Sequence, residues 1–178
     1  MLVSDKMAED NFHLVVYEHD TLEIMCGYVG VPPEHPLYEI DYTQCIQGCP
    51  GEESSSEWKR EQNLRDFPCI WKGHKYPANI FEVHGELTAA SHAGVSDSVW
   101  KEKFWYFGFD CGHLWDIVPG LQVLIPPSPG ATYKDATYAA AEMFKLHEQM
   151  KSFVLKRPMP GREQADDIYY EFRAEEQR

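Results

Sequence analysis

The sequence predicts an α+β fold, an antiparallel or mixed sheet packed against one long C-terminal helix, with long loops between elements. Two observations carry this: short aromatic and β-branched runs come early in the chain, and one sustained helical stripe comes late. Residues 12–17, Phe-His-Leu-Val-Val-Tyr, read as a strand, and His19, Asp20 and Thr21 read as a turn into a second hairpin strand at 22–26. Gly27 and Gly30 loosen the chain beyond it, and Pro32, Pro33 and Pro36 lack the N–H a sheet or helix would need. A glycine-, proline- and serine-rich surface loop is expected at 45–56, then a short helix at 57–64. Residues 79–84 read as a strand. The strongest strand is 103–109, aromatic enough for both its faces to be covered, and 121–125 reads as another, ended by Pro126 and Pro127.

The helix is expected over 134–155, capped by Thr132, with Asp135 in the first turn where its charge suits the dipole. Ala136, Ala139, Met143, Leu146, Met150 and Phe153 recur at intervals of three and four and form its core-facing stripe. Pro158 and Pro160 stop it. The chain thus reads as a single α+β domain over 1–160. A charged tail occupies 161–178, where Ile168, Tyr169, Tyr170 and Phe172 can dock on the body.

The 178 residues carry a formal net charge of -13, which repels nucleic-acid phosphates, so direct nucleic-acid binding is not expected. Acidity suits solubility, or a surface that docks on a basic host protein. No apolar run is long enough to span a bilayer, so no membrane association is expected. Residues 1–12 lack the basic and apolar regions of a secretory signal. The five cysteines, Cys26, Cys45, Cys49, Cys69 and Cys111, follow no disulfide framework and suit reduced thiols in a cytoplasm.

Two segments carry candidate chemistry: His84-Gly85-Glu86-Leu87-Thr88, and Asp110-Cys111-Gly112-His113-Leu114-Trp115-Asp116 just beyond the aromatic strand. If the two strands end side by side, His84, Asp110, His113 and Asp116 share a pocket. His84, Asp110 and His113 are the expected ligands of a divalent metal, and their mixed nitrogen and oxygen donors would suit Zn, Mn or Fe. Such an ion would acidify a bound water. Asp116, orienting His113 or serving as a fourth ligand, Glu86 as proton acceptor and Thr88 as a hydrogen bond to substrate oxygen complete the expected catalytic set. A metal-free version pairs His113 with Asp116 as a general-base dyad. A structural role is also open to each residue, Asp110 bonding loop N–H groups and His84 terminating a strand, so that the cluster becomes a buried polar network.

Other readings carry less. Cys45, Cys49, Cys69 and His74 lack paired zinc-knuckle spacing, Cys111 is a nucleophile only if it faces His113, His35 reads as part of a rigid turn between prolines that could also line a pocket, and His92 and His147 read as satisfied or solvated. Lys101 and Lys103 are the cations nearest the motif that could meet a phosphate.

At these segments the chain resembles a family of small uncharacterised proteins of bacteriophages and prophages, with an HGxLT … GFDxxHxxD pattern. The resemblance covers Tyr28 to Met150 in patches: Tyr28-Val29-Gly30-Val31-Pro32, His35-Pro36-Leu37-Tyr38, Val83 to Thr88, Trp105 to His113, Asp116, and the helix from Tyr133. The pattern has a glycine where this chain has Glu86 and a small residue where it has Trp115. The resemblance implies a setting, the cytoplasm of an infected bacterial cell, rather than a reaction. The expectation is a phage accessory protein, a metal-dependent hydrolase of a small phosphorylated or nucleotide-like substrate. The alternative is a non-catalytic anti-defence or host-takeover protein that binds a host protein through its acidic surface or sequesters a nucleotide.

Overall fold

The computed structural model describes residues 1–44, 46, 75–92 and 100–153. Apart from Ile46, the expected loop at 45–56 lies outside them, as do the helix at 57–64, Cys49, Cys69, His74 and the tail at 161–178. Met1–Tyr42 and Ala78–Phe153 form one compact unit, which holds the sheet and the long helix. The described residues of a second unit are Thr43, Gln44, Ile46, Lys75, Tyr76 and Pro77, and there the Ile46 N–H donates to the Lys75 carbonyl at 2.8 Å.

Five strands form the sheet: β1 (Leu2–Met7), β2 (His13–Glu18), β3 (Met25–Val31), β4 (Ala89–Ser91) and β5 (Trp105–Asp110). Their order is β1-β2-β3-β5-β4 and every neighbouring pair is antiparallel. A short helix α1 (Pro77–Ile80) precedes β4, a 3-10 turn (Pro119–Leu121) comes after β5, and the long helix α2 (Ala136–Lys151) comes last. Among the described residues no helix is long and apolar enough to cross a membrane.

Alternation along the strands builds two apolar layers. The register Leu14↔Val29↔Phe107 and Val16↔Gly27↔Phe109 puts these side chains on one face. There Ala139, Met143, Leu146 and Met150 of α2, all buried, pack on β2 and β3. The opposite face carries Val15, Tyr17, Cys26, Tyr28 and Tyr106, covered by Ile24, Phe104, Trp100 and Val118. The aromatic strand is therefore covered on both sides, as its composition requires.

Several boundaries differ from expectation for identifiable reasons. The second hairpin strand is Met25–Val31, not 22–26, and both glycines lie inside it. A Cβ on Gly27 would fall 2.4 Å from the Phe109 ring, so the glycine makes room for an aromatic instead of loosening the strand. Residues 79–84 form no strand: Pro77 opens α1, and the Glu82 backbone is held by Gln149, whose amide accepts its N–H at 2.8 Å and donates to its carbonyl at 2.7 Å. Residues 121–125 are turns in which Val123, 96% exposed, buries nothing, so no sheet face recruits them. The cap of α2 is Asp135, which accepts the Tyr138 N–H at 2.9 Å, and Thr132 lies outside the helix.

The N-terminal residues form an exposed edge strand whose sequence alternates too weakly to announce itself. β1 is held by its ladder to β2 and by Asp5, which accepts the Nε2 proton of fully buried His13. His13 Nδ1 accepts from the Tyr106 hydroxyl at 2.5 Å, and that oxygen accepts the Lys101 N–H at 3.0 Å. His35 is likewise satisfied, donating to the Met150 carbonyl at 3.0 Å and accepting the Leu37 N–H at 3.2 Å. His147 bonds Asp10 at 3.0 Å, and His92 lies 3.3 Å from both the Phe104 carbonyl and Glu39.

Gly27→Ala forces its methyl into Phe109 and should lower stability by about 1–3 kcal/mol in urea unfolding, the usual cost of overpacking; an unchanged midpoint would show that the ring is free to move. Burial holds His13 below its ordinary pKa of 6.5, outweighing its hydrogen bond to Asp5. The unfolded chain therefore binds a proton at higher pH than the folded one, and stability falls as pH drops below about 6.5. Between pH 7 and 5.5 the urea midpoint should fall more steeply for the native chain than for His13→Gln, and parallel curves would contradict this.

Candidate functional site

The site lies where β5 ends. Asp110 is its last residue, and the chain then turns through 111–118. A bridge between Asp116 and Thr132 clips this loop to the segment that leads into α2, with the Thr132 N–H on the Trp115 carbonyl at 3.1 Å and the Ile117 N–H on the Thr132 carbonyl at 3.0 Å. That clip brings the first turn of α2, and with it Tyr138, beside the loop. On the other side, the Thr88 N–H donates to the Gly108 carbonyl at 2.9 Å, so the chain leading into β4 brings His84 alongside.

Asp116 is the centre of the cluster. Its side chain is 1% exposed, and its Oδ2 accepts the His84 Nε2–H at 2.6 Å and the His113 backbone N–H at 3.0 Å. With the Nε2 proton committed to the carboxylate, the Nδ1 of a neutral His84 ring accepts from the Tyr138 hydroxyl at 3.0 Å. The His84 ring also stands edge-on to Tyr138 at 5.3 Å and to His113 at 5.4 Å. The result is a chain Asp116–His84–Tyr138, a base oriented by a carboxylate and joined to a hydroxyl. Burial first, then Glu142, Cys111 and Asp116, push the Tyr138 phenol above its ordinary pKa, so it stays protonated and donates. Lys134 lies over the Tyr138 ring at 4.8 Å while its ammonium donates to Thr132 Oγ1 at 2.7 Å.

Asp110 is placed differently. Its Oδ1 accepts the Gly112 N–H at 3.0 Å and its Oδ2 accepts the Thr88 hydroxyl at 3.1 Å. The first of these is the loop-bonding role open to it from sequence. Its Oδ1 also lies 3.9 Å from His113 Nε2, too far for a direct hydrogen bond and a span that one water can bridge. That Nε2 is buried and has no hydrogen-bond partner among the described residues.

The expected residues therefore meet, with changed roles. Asp116 pairs with the ring of His84 and touches only the backbone of His113, so the dyad is His84–Asp116 instead of His113–Asp116. Thr88 binds Asp110 instead of standing free. Glu86 is exposed, and among the described residues no hydrogen bond or ion pair joins its side chain to the cluster. Lys101 is paired with Asp5 at 3.5 Å and Lys103 lies over Phe104, which leaves Lys134 as the cation beside Tyr138. Cys111 is buried, and burial, with Asp116 adding, pushes its thiol up to about 12, so it is no nucleophile. Sequence reasoning misses Tyr138; its one signal there is a hydroxyl in the helix's first turn, off the apolar stripe.

The donor set fits a metal ion in part. His113 Nε2 and Asp110 Oδ1 are an available pair, while both ring nitrogens of His84 are engaged by Asp116 and Tyr138. Among the described residues no three His, Cys, Asp or Glu side chains converge as a metal-binding group. Comparison with protein-family models, with curated proteins and with solved structures finds no match to this chain.

His84→Ala leaves the buried Asp116 carboxylate with only the His113 N–H. It should cost about 2–3 kcal/mol in urea unfolding, as expected for a buried charge that loses its partner but keeps one hydrogen bond. A change below about 0.5 kcal/mol, the scale of an ordinary surface substitution, would mean that water replaces the ring without loss.

Proposed function

We propose that this chain is a hydrolase of a small anionic, phosphorylated or nucleotide-like molecule, working in the cytoplasm of an infected bacterium. The observation that carries the reading is the Nε2 of His113, buried without a hydrogen-bond partner among the described residues and 3.9 Å from the Asp110 carboxylate. Two acceptors at that spacing suit one water, each taking one of its protons, which directs the oxygen's free lone pair outward for attack. His113 accepts the proton as the water adds, and Asp110, fixed by the Gly112 N–H and the Thr88 hydroxyl, orients it. The His113 imidazolium formed in this step returns its proton to the leaving oxygen, while Tyr138, its one proton held on His84 Nδ1, is fixed beside the site by the His84–Asp116 pair.

The substrate class rests on the surroundings. Lys134 beside Tyr138 favours an anion, and Trp115, 63% exposed and adjacent to Asp116, offers a flat face on which a base can stack. A divalent ion would supply the same water activation and would be held by His113 and Asp110, with His84 already engaged elsewhere. The resemblance to phage proteins contributes the setting alone.

The test is turnover of a panel of nucleoside mono-, di- and triphosphates, cyclic nucleotides and p-nitrophenyl phosphate esters, with and without chelator. The expected result is chelator-resistant hydrolysis of at least one class, reduced about 10²- to 10⁴-fold in Asp110→Asn and His113→Gln, the usual contribution of general acid–base catalysis. Turnover abolished by chelator, with stoichiometric ion in the native chain and none in His113→Gln, would transfer the water activation to a metal. No turnover of any member by folded protein would overturn the hydrolase reading and leave the cluster as a polar network in a binding protein.

A further inference from the structure

The polar atom of the cluster left unpaired is covered by backbone. Gly85 sits directly over the His113 ring at φ +71°, and a Cβ built there would fall 1.8 Å from Nε2. The positive φ and this close approach both select glycine. The covering turn is anchored firmly on either side. His84 is held by Asp116 and Tyr138. Leu87 is buried at 1% exposure, and the Thr88 N–H is bonded to Gly108. Between these anchors Gly85 and Glu86 are exposed, and the bond from the Glu86 N–H to the His84 carbonyl at 2.9 Å closes within the turn itself. The turn over the nitrogen thus has no hydrogen bond outside itself among the described residues, and it leaves that nitrogen buried without a partner there, a costly arrangement that an arriving donor relieves.

We propose that the Gly85–Glu86 peptide is a gate, closed in this structure, over His113 Nε2, and that it opens to admit the water or hydroxyl that donates to this nitrogen. The gate rests on the hydrolase reading only in that it says what passes through; its geometry belongs to the free chain. Closure keeps solvent from the base until the turn swings out about its two anchors, His84 and Leu87. Glu86, whose side chain has no partner in the cluster, rides on the moving peptide.

Carbethoxylation of the full chain by diethylpyrocarbonate, followed by peptide mass mapping, reads access to His113 without reading turnover. In the native chain His113 should react at least about tenfold more slowly than free N-acetylhistidine, as for an open form populated at about 10% or less. Its rate should also level off as reagent is raised, because opening becomes limiting. In Gly85→Ala the methyl group cannot coexist with the ring, and the rate should rise towards that of the free imidazole. If that variant does not fold, the saturation in the native chain decides by itself. A native His113 that reacts at the free rate, linearly in reagent, would overturn the gate, as would a folded Gly85→Ala that reacts no faster. Because the reaction, run at one pH against the free imidazole, reads access and not turnover, its failure leaves the hydrolysis assay standing, and inactivity on the substrate panel leaves the gate intact.

Discussion

A single carboxylate oxygen ties together the side chains of three pieces of chain that meet at the end of β5. Asp116 Oδ2 takes one hydrogen bond from the ring of His84 and another from the backbone of His113, and His84 passes the constraint on to Tyr138 of α2. The carboxylate is buried, so neither bond competes freely with water, and losing either would leave a desolvated charge poorly satisfied. That penalty makes the loop after β5, the turn before β4 and the first turn of α2 adopt one arrangement instead of several.

The sheet supplies the frame for this joint. Register between β3 and β5 sets Asp110 opposite Cys26, at the edge of a layer otherwise filled by Tyr28, Tyr106 and their covering side chains. The strand end is therefore half in the core and half in solvent, where a carboxylate can be held by a loop N–H and a hydroxyl while a face stays open. On the opposite side of the sheet, α2 is fixed by its apolar stripe, and the Asp135 cap sets where its first turn begins. Moving that start by one residue would rotate Tyr138 about the helix axis by roughly 100° and away from His84.

Much of this is legible in the residues themselves. The aromatic run at 105–110 and the stripe from Ala139 to Met150 announce the central strand and the covering helix, because burial on both faces and a 3.6-residue period leave plain marks. His84 reaches Asp116 and His113 as expected but by another route: 79–84 form no strand beside β5, and the bond from the Thr88 N–H to Gly108 brings the residue there. The hidden features depend on partners far away in the chain. Gly27 looks like a break until the Phe109 ring takes the place of its missing Cβ, and 79–84 looks like a strand until the helix from Pro77 takes Asn79 and Ile80 and Gln149 takes the backbone groups of Glu82. Similarly, residues 121–125 have strand composition but pair with no strand among the described residues. Which imidazole holds Asp116, and which nitrogen remains unpaired, turns on angles within a loop that spacing does not encode.

Nitrogen-15 NMR of the imidazole rings tests the central claim most directly. At neutral pH, long-range proton–nitrogen correlations should show His84 as the Nε2–H tautomer, its proton shifted far downfield and slow to exchange, with both features lost in Asp116→Asn. An Nδ1–H tautomer, or an Nε2 proton that exchanges with water as freely in the native chain as in the variant, would show that Asp116 does not hold this ring.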